Sequence, residues 1–276
     1  MSKTLQGTTK LHNGIEMPYF GLGVYKVEEG HQVEETVHAA LDLGYRAVDT
    51  AALYENEEGV GKAVREHSVP REDIFVTTKV WNSDQGYDST LRAFEDSYNK
   101  LGLDYIDLYL IHWPVVAKYK DTWKALERLY SEGVVKAIGV SNFQPHHLED
   151  LMNTANEKPV VNQVECHPLL TQEEVKAYCR QHDIRVEAWS PIAKGTVMDN
   201  PVLVELAKKY GKSPAQVILR WHLQNDVIVI PKSVTPSRLK ENADIFDFEL
   251  STEDLEKVNQ LNKNQRLGAD PDNFDF

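Results

Sequence analysis

Short apolar runs and longer amphipathic stretches alternate along almost the whole chain. The apolar runs fall at 47–49, 74–78, 106–111, 137–141, 161–164, 185–189, 227–230 and 244–246. Several are apolar nearly throughout, the pattern of strands covered on both faces. Between them, helix-like segments occupy 32–43, 57–66, 89–101, 122–131, 145–152, 172–182 and 214–224. Thr171 before Gln172 and Ser213 before Pro214 are candidate N-caps. Gly44, Gly102 and Gly133 stand where helices should end.

Strand–helix alternation on this scale predicts one parallel sheet, and eight such runs favour closure into a (β/α)8 TIM barrel. The start differs. Asn13-Gly14 between two short apolar segments predicts a β-hairpin at about 7–20, capping the N-terminal end of the barrel. No composition shift or low-complexity linker marks a second domain, so the expected layout is a single domain: hairpin, barrel at about 31–262 and a tail at about 263–276. A doubly wound dinucleotide fold would need a glycine-rich strand–turn–helix near its first strand. Gly21-Leu22-Gly23-Val24-Tyr25-Lys26 matches that pattern only by half.

Composition narrows the partners. With 30 Lys and Arg against 43 Asp and Glu, the net charge is −13, a surface that repels nucleic acid and anionic membrane. An anionic ligand must then be held by a local basic site. Cys166 and Cys179 are too few for a disulfide framework, which favours a reducing compartment. The first residues lack the apolar core of a signal peptide, and no stretch approaches the ~20 apolar residues that span a bilayer. A cytoplasmic protein is expected.

Four polar residues stand where strand-like runs end: Asp49, Tyr54 just beyond it, Lys79 and His112. Singly, each has an ordinary explanation: a helix cap, a half-buried tyrosine, a snorkelling lysine, a satisfied core histidine. Together they suit proton transfer, because strand C-terminal ends converge on one mouth of a parallel barrel. A free tyrosine, with a pKa of about 10, is a poor acid at neutral pH. A Lys79 ammonium would lower that pKa, and Asp49 would keep the lysine charged. His112 could donate a hydrogen bond to a carbonyl oxygen that Tyr54 protonates. The set supplies no electrons, and no HxH, HExxH or other metal-binding cluster is present, so the reductant must be a cofactor. The segment 230–242, IPKSVTPSRLKEN, places Lys232, Ser233 and Arg238 after the predicted seventh strand, where barrels often bind phosphate. An ammonium, a hydroxyl and a guanidinium suit a phosphate monoester, although a solvated basic turn is the plainer alternative.

DTAALYENE, TTKVW, YIDLYLIHWP, IGVSNF, VNQVECHP, EAWSPI and IPKSVTPSRLKEN, in this order from about residue 10 to 261, resemble the successive motifs of the aldo-keto reductases. The likeness is strongest to bacterial glyoxal and methylglyoxal reductases and looser to 2,5-diketo-gluconate reductases. It implies a barrel that binds NADPH/NADP+ without a Rossmann domain, with Asp49, Tyr54, Lys79 and His112 as catalytic tetrad. By the same resemblance Ser141, Asn142 and Gln163 bind the nicotinamide carboxamide and Trp189 stacks on its ring. Ser190, Pro191 and Ile192 follow the pyrophosphate. Ile230, Lys232, Ser233 and Arg238 hold the 2′-phosphate end, and Glu241 and Asn242 the adenine. Gly23, Val24, Tyr25 and Asp49 line the near side of the cofactor. Independently of the family, Asn142 could cap a helix, Gln163 could be a buried amide, and Trp189 could be core packing.

The stretch after His112-Trp113-Pro114 and the tail after Leu261 are shorter than in many family members, which predicts an open, weakly selective pocket walled by Tyr25, Trp81 and Trp113 beside His112. The expected activity is NADPH-dependent reduction of small aldehydes and ketones, 2-oxoaldehydes such as methylglyoxal foremost, by a monomer. Keto-sugar reduction of the 2,5-diketo-gluconate type is the alternative. A nicotinamide-binding regulatory subunit and a metal-dependent hydrolase using Asp49, His112 and His167 are rivals of other classes.

Overall fold

The computed structural model describes residues 3–276. An N-terminal hairpin joins β1 (Thr8–Lys10) to β2 (Glu16–Pro18), antiparallel, with Thr9 opposite Met17. Its turn lies at Asn13-Gly14, where Gly14 adopts φ 91°. Leu11 and Met17 are buried against the barrel. His12 and Asn13 reach the carbonyls of Pro159 and Lys136, just ahead of two barrel strands, so the hairpin covers the barrel's N-terminal end.

The eight-stranded parallel sheet comprises β3 (Leu22–Gly23), β4 (Ala47–Asp49), β5 (Phe75–Val80), β6 (Leu108–Ile111), β7 (Ile138–Ser141), β8 (Val161–Glu165), β9 (Arg185–Trp189) and β10 (Ile228–Val229), in sequential order. A parallel bridge between Phe20 and Val229 joins its two edges, and the Gly21 N–H reaches the Val229 carbonyl at 2.9 Å. The (β/α)8 barrel is thereby closed.

The number of strands is the expected eight, but one of them is a different segment. The run at 244–246 is no strand: Ile245 is buried beside helix α8 (Pro214–Gln224), where Arg220 Nη1 donates to its carbonyl. The first barrel strand is instead Leu22–Gly23, within the half-matched glycine motif. A Cβ on Gly23 would sit 2.8 Å from the Ile230 carbonyl oxygen, so close backbone approach across the seam, rather than phosphate binding, accounts for that glycine.

The covering helices are α1 (His31–Asp42), α2 (Glu57–Glu66), α3 (Tyr87–Leu101), α4 (Tyr119–Ser131), α5 (Pro145–Met152), α6 (Glu173–Gln181), α7 (Pro201–Tyr210), α8, α9 (Pro236–Ala243) and α10 (Thr252–Asn259). Helix α8 starts as its sequence predicts: Ser213 accepts the Gln216 N–H, and the Gln216 side chain accepts the Ser213 N–H. Thr171 caps nothing. Gln172 holds the N-cap position of α6 at φ 57°, and the Thr171 N–H goes to Asn262. Among the described residues no helix is long and apolar enough to cross a membrane.

Candidate active site

Asp49 ends β4, Lys79 lies next to last in β5, and His112 follows β6, so three neighbouring strands deliver them to the same mouth. Tyr54 arrives by a one-turn 3-10 helix, Ala52–Tyr54, ended by Glu55 in the left-handed region. Buried Asn56 fastens this turn. Its amide accepts from the Thr50 hydroxyl and donates to the carbonyls of Val24 and Val27, tying the turn to the β3–α1 loop.

The amine and phenol meet. Lys79 Nζ, fully buried, donates to Asp49 Oδ1 at 2.7 Å, to the Thr50 carbonyl at 2.8 Å and to the Tyr54 hydroxyl at 3.3 Å. Burial works to strip the lysine proton, but Asp49 and Tyr54 outweigh it and raise the Lys79 pKa. Tyr54 departs from the expected direction. Burial exceeds the lowering by Lys79, and its pKa is pushed up to about 12. The phenol therefore rests protonated. It is a weak acid toward water but a competent one toward an alkoxide, whose basicity approaches that of hydroxide. Burial, then Lys79, holds His112 well below the ordinary histidine range, so its ring is neutral. His112 Nδ1 is buried without a partner among the described residues, which leaves Nε2 for a bound molecule. Its ring centroid lies 5.8 Å from that of Tyr54.

A second group gathers beside this one. Ser141 ends β7, Gln163 lies in β8 and Trp189 ends β9. The Asn142 amide joins three strand ends: it donates to the His112 carbonyl and to Ser141, and accepts from Trp189 Nε1 at 2.8 Å. Its side chain is thus committed largely to protein partners. Gln163 Nε2 donates to Asp49 Oδ2 and to Glu187 Oε2, each at 2.7 Å. Glu187 was not foreseen as a site residue; its signal was a carboxyl inside the apolar run RVEAW. Asn142 (φ 65°) and Ser190 (φ 49°) hold left-handed backbone without being glycine, a strain that gathers at functional sites. Pro191 and Ile192 follow, the Pro191 carbonyl accepting from buried His222.

The basic segment leaves β10. Lys232 and Arg238 are exposed, and neither enters an ion pair among the described residues, although carboxylates outnumber cations on this chain. Ser233 is turned inward and accepts the Thr235 N–H at 3.1 Å, shaping the turn. Glu241 accepts from Ser213 at 2.6 Å, which ties it to the start of α8, while Asn242 is buried and Ile230 lies on the closure seam. Gly23, Val24 and Tyr25 reach the mouth together: the Val24 N–H donates to the Asp49 carbonyl, and Tyr25 packs on Tyr54 with centroids 5.0 Å apart.

The tail, short in sequence, reaches the mouth of the barrel. Glu165, buried at the end of β8, accepts the N–H groups of Leu267 and Gly268 and the Nε2 of His167. Asp272 meets His146 and His147. Phe276 then stacks on Trp81, and Phe274 packs on Trp113. Short as it is, the tail supplies a wall. His167 is occupied at this anchor, and the set Asp49, His112 and His167 does not assemble as a metal site among the described residues. His146, His147 and Asp272 do approach one another, but His147 Nδ1 accepts the Gln144 N–H, so its Nε2 carries the proton and offers no lone pair to a cation.

A family model described as the Aldo/keto reductase family matches residues 20–263, and the chain belongs to that family. It is 59% identical to the glyoxal reductase of Bacillus subtilis over all of both chains. It is 49% identical to the methylglyoxal reductase DkgA of Escherichia coli K12 over 96% of this chain and 97% of that one. Among solved structures, a mutant of Gox0644 in complex with NADPH superposes with a TM-score of 0.93 at 48% identity, covering 98% of this chain and 99% of that one.

Proposed function

We propose that this chain is an NADPH-dependent carbonyl reductase acting on small 2-oxoaldehydes such as glyoxal and methylglyoxal. The observation that carries the reading is the buried Lys79 amine bonded to both Asp49 and Tyr54 beside neutral His112. The residues fit the cofactor. Exposed Lys232 and Arg238, unpaired among the described residues, suit the 2′-phosphate, the face of Trp189 suits the ring, and the Gln163 Oε1, which has no partner among those residues, suits the carboxamide. Bound NADPH supplies the hydride. His112 Nε2 holds the carbonyl oxygen by a neutral hydrogen bond. As negative charge grows on that oxygen Tyr54 releases its proton to it, and Lys79, held charged by Asp49, stabilises the phenolate left behind. Trp81, Trp113 and Tyr25 exclude water around the reacting carbon.

A keto-sugar substrate is the second reading. A groove of about 810 Å³ runs from Trp81 past Val115 and Lys118 to the tail, but neither Tyr54 nor His112 lines it, so a keto-sugar would have to reach it across Trp81. A panel of glyoxal, methylglyoxal, aromatic aldehydes and keto-sugars, followed by loss of reduced-nicotinamide absorbance with NADPH and with NADH, tests both. Turnover of the small dicarbonyls with preference for NADPH supports the first. NADPH binding without turnover of any of them would leave a regulatory nicotinamide-binding protein.

A further inference from the structure

Glu187 lies at the centre of β9, 2% exposed, in register with Gln163 on β8 and Ile228 on β10. A primary amide has two N–H hydrogens, and Gln163 gives one to Asp49 Oδ2 and the other to Glu187 Oε2. Asp49 is itself fixed by Lys79 on β5. The amide oxygen has no protein partner among the described residues and can only accept. Turning the amide over would aim that oxygen at two carboxyl groups. One carboxyl would leave half of the amide free; two lock it.

We infer that Glu187 is a positioning residue: it holds the Gln163 amide so that its oxygen faces the nicotinamide carboxamide, and its charge state sets the balance between reduced and oxidised cofactor. The inference rests on the nicotinamide reading above. The charged groups facing Glu187 are Asp49 from β4 and Lys79 from β5, which neutralise each other. Burial, then Asp49, raises the Glu187 pKa, against smaller opposing contributions from Gln163 and Lys79. In its protonated form Glu187 accepts from Gln163 with its carbonyl oxygen, and the whole cluster is neutral. Neutral dihydronicotinamide suffers nothing from that cluster. Above the Glu187 pKa the cluster carries a net negative charge, which attracts the cationic ring of NADP+ and does nothing comparable for NADPH. Binding of NADP+ thus favours proton release from Glu187.

The test is a pair of binding titrations on the full-length protein, NADPH by fluorescence and NADP+ by calorimetry, at intervals from pH 6.5 to 9.5. The 2′-phosphate titrates equally in both cofactors and cancels in the ratio of their dissociation constants. In the wild type NADP+ should gain on NADPH as pH rises, by about tenfold; in Glu187→Gln, which keeps a neutral acceptor, NADPH should bind as before and the ratio should be flat. Glu187→Leu removes the acceptor. It should weaken NADP+ by about tenfold, or about 1.4 kcal/mol, while hardly affecting the 3-acetylpyridine analogue, whose acetyl group has no N–H to give to Gln163. A pH-independent ratio in the wild type, or a Leu variant that separates NADP+ from the analogue as the wild type does, overturns the inference. If Glu187→Leu does not fold, the Gln variant and the wild-type ratio decide alone. A wild type that binds no nicotinamide cofactor refutes the functional reading instead, so the two failures are distinct.

Discussion

Phe276 stacks on Trp81 with ring planes 4° apart and centroids 5.8 Å apart, and the Asn82 amide donates to the Phe276 carbonyl at 3.0 Å. Trp81 in turn meets His112 edge-on at 5.1 Å. A residue at the far end of the numbering is thus one aromatic ring removed from the group that is to hold the carbonyl oxygen. An aromatic pair contributes about 0.5–1.5 kcal/mol beyond its buried area. Phe276→Ala should therefore raise KM for methylglyoxal several-fold with a smaller change in kcat, since the proton donor and the cofactor face are untouched. A fall in kcat with KM unchanged would place Phe276 outside the substrate wall.

Tyr54→Phe deletes the only proton the phenol can give while keeping its ring against Tyr25 and His112. Turnover should fall by about 10²–10⁴-fold. NADPH should still bind, as read by quenching of protein fluorescence. Undiminished turnover would show that another group is the acid.

Lys79→Met should act on both stability and rate. It leaves Asp49 buried with its charge unpaired, an omission that costs about 3–5 kcal/mol. Combining it with Asp49→Asn removes the stranded charge, so the double variant should regain much of the thermal stability yet stay inactive. Denaturation midpoints and single-turnover rates separate the two effects. A double variant as unstable as the single one would deny that the ion pair is the reason for the loss.

Much of this was legible because strand ends and chemistry coincide. Asp49, Lys79 and His112 each interrupt an apolar run, and a polar residue there has few reasons to exist unless it faces the mouth. What was not legible depended on contacts between distant segments. Leu22–Gly23 is a strand through its pairing with Val48 and Asp49, and the barrel closes beside it where Phe20 meets Val229; two residues carry no periodicity. Ile245 reads as strand because it is buried, but its burial comes from α8, not from a ladder. The direction of the Tyr54 pKa needs the degree of burial, which the order of residues does not state. Phe276 was invisible for a related reason, since its partner Trp81 lies in another element; Glu187 showed only as a carboxyl in an apolar run, with no hint of its partner Gln163.

Lys232 and Arg238 form the basic knot that the composition called for, exposed and free of carboxylate partners among the described residues. Charge-assisted hydrogen bonds contribute about 1.5–3 kcal/mol each. Replacing both with Gln and Met should weaken NADPH by more than tenfold and NADH far less, because NADH lacks the 2′-phosphate. The loss should shrink as salt is raised. Equal weakening of the two cofactors would move the phosphate site elsewhere.

Glu165 sets the final expectation. Burial alone would raise its pKa, but the hydrogen bond from His167 and the two backbone N–H groups of Leu267 and Gly268 win, and the pKa is lowered. A carboxyl whose folded pKa lies below its unfolded value stabilises the fold fully above the ordinary carboxylate pKa of about 4.3. That stabilisation disappears as pH falls through the folded value. The tail should accordingly loosen in acid, below about pH 4.3, before the barrel melts. Amide hydrogen exchange at residues 267–276 measures this directly. In Glu165→Gln the two backbone N–H groups face one amide oxygen in place of two carboxylate oxygens. Its tail should exchange faster at neutral pH, and the acid dependence of that exchange should flatten. A tail equally protected in both proteins at every pH would mean that Phe274 and Phe276, and not Glu165, hold the strap in place.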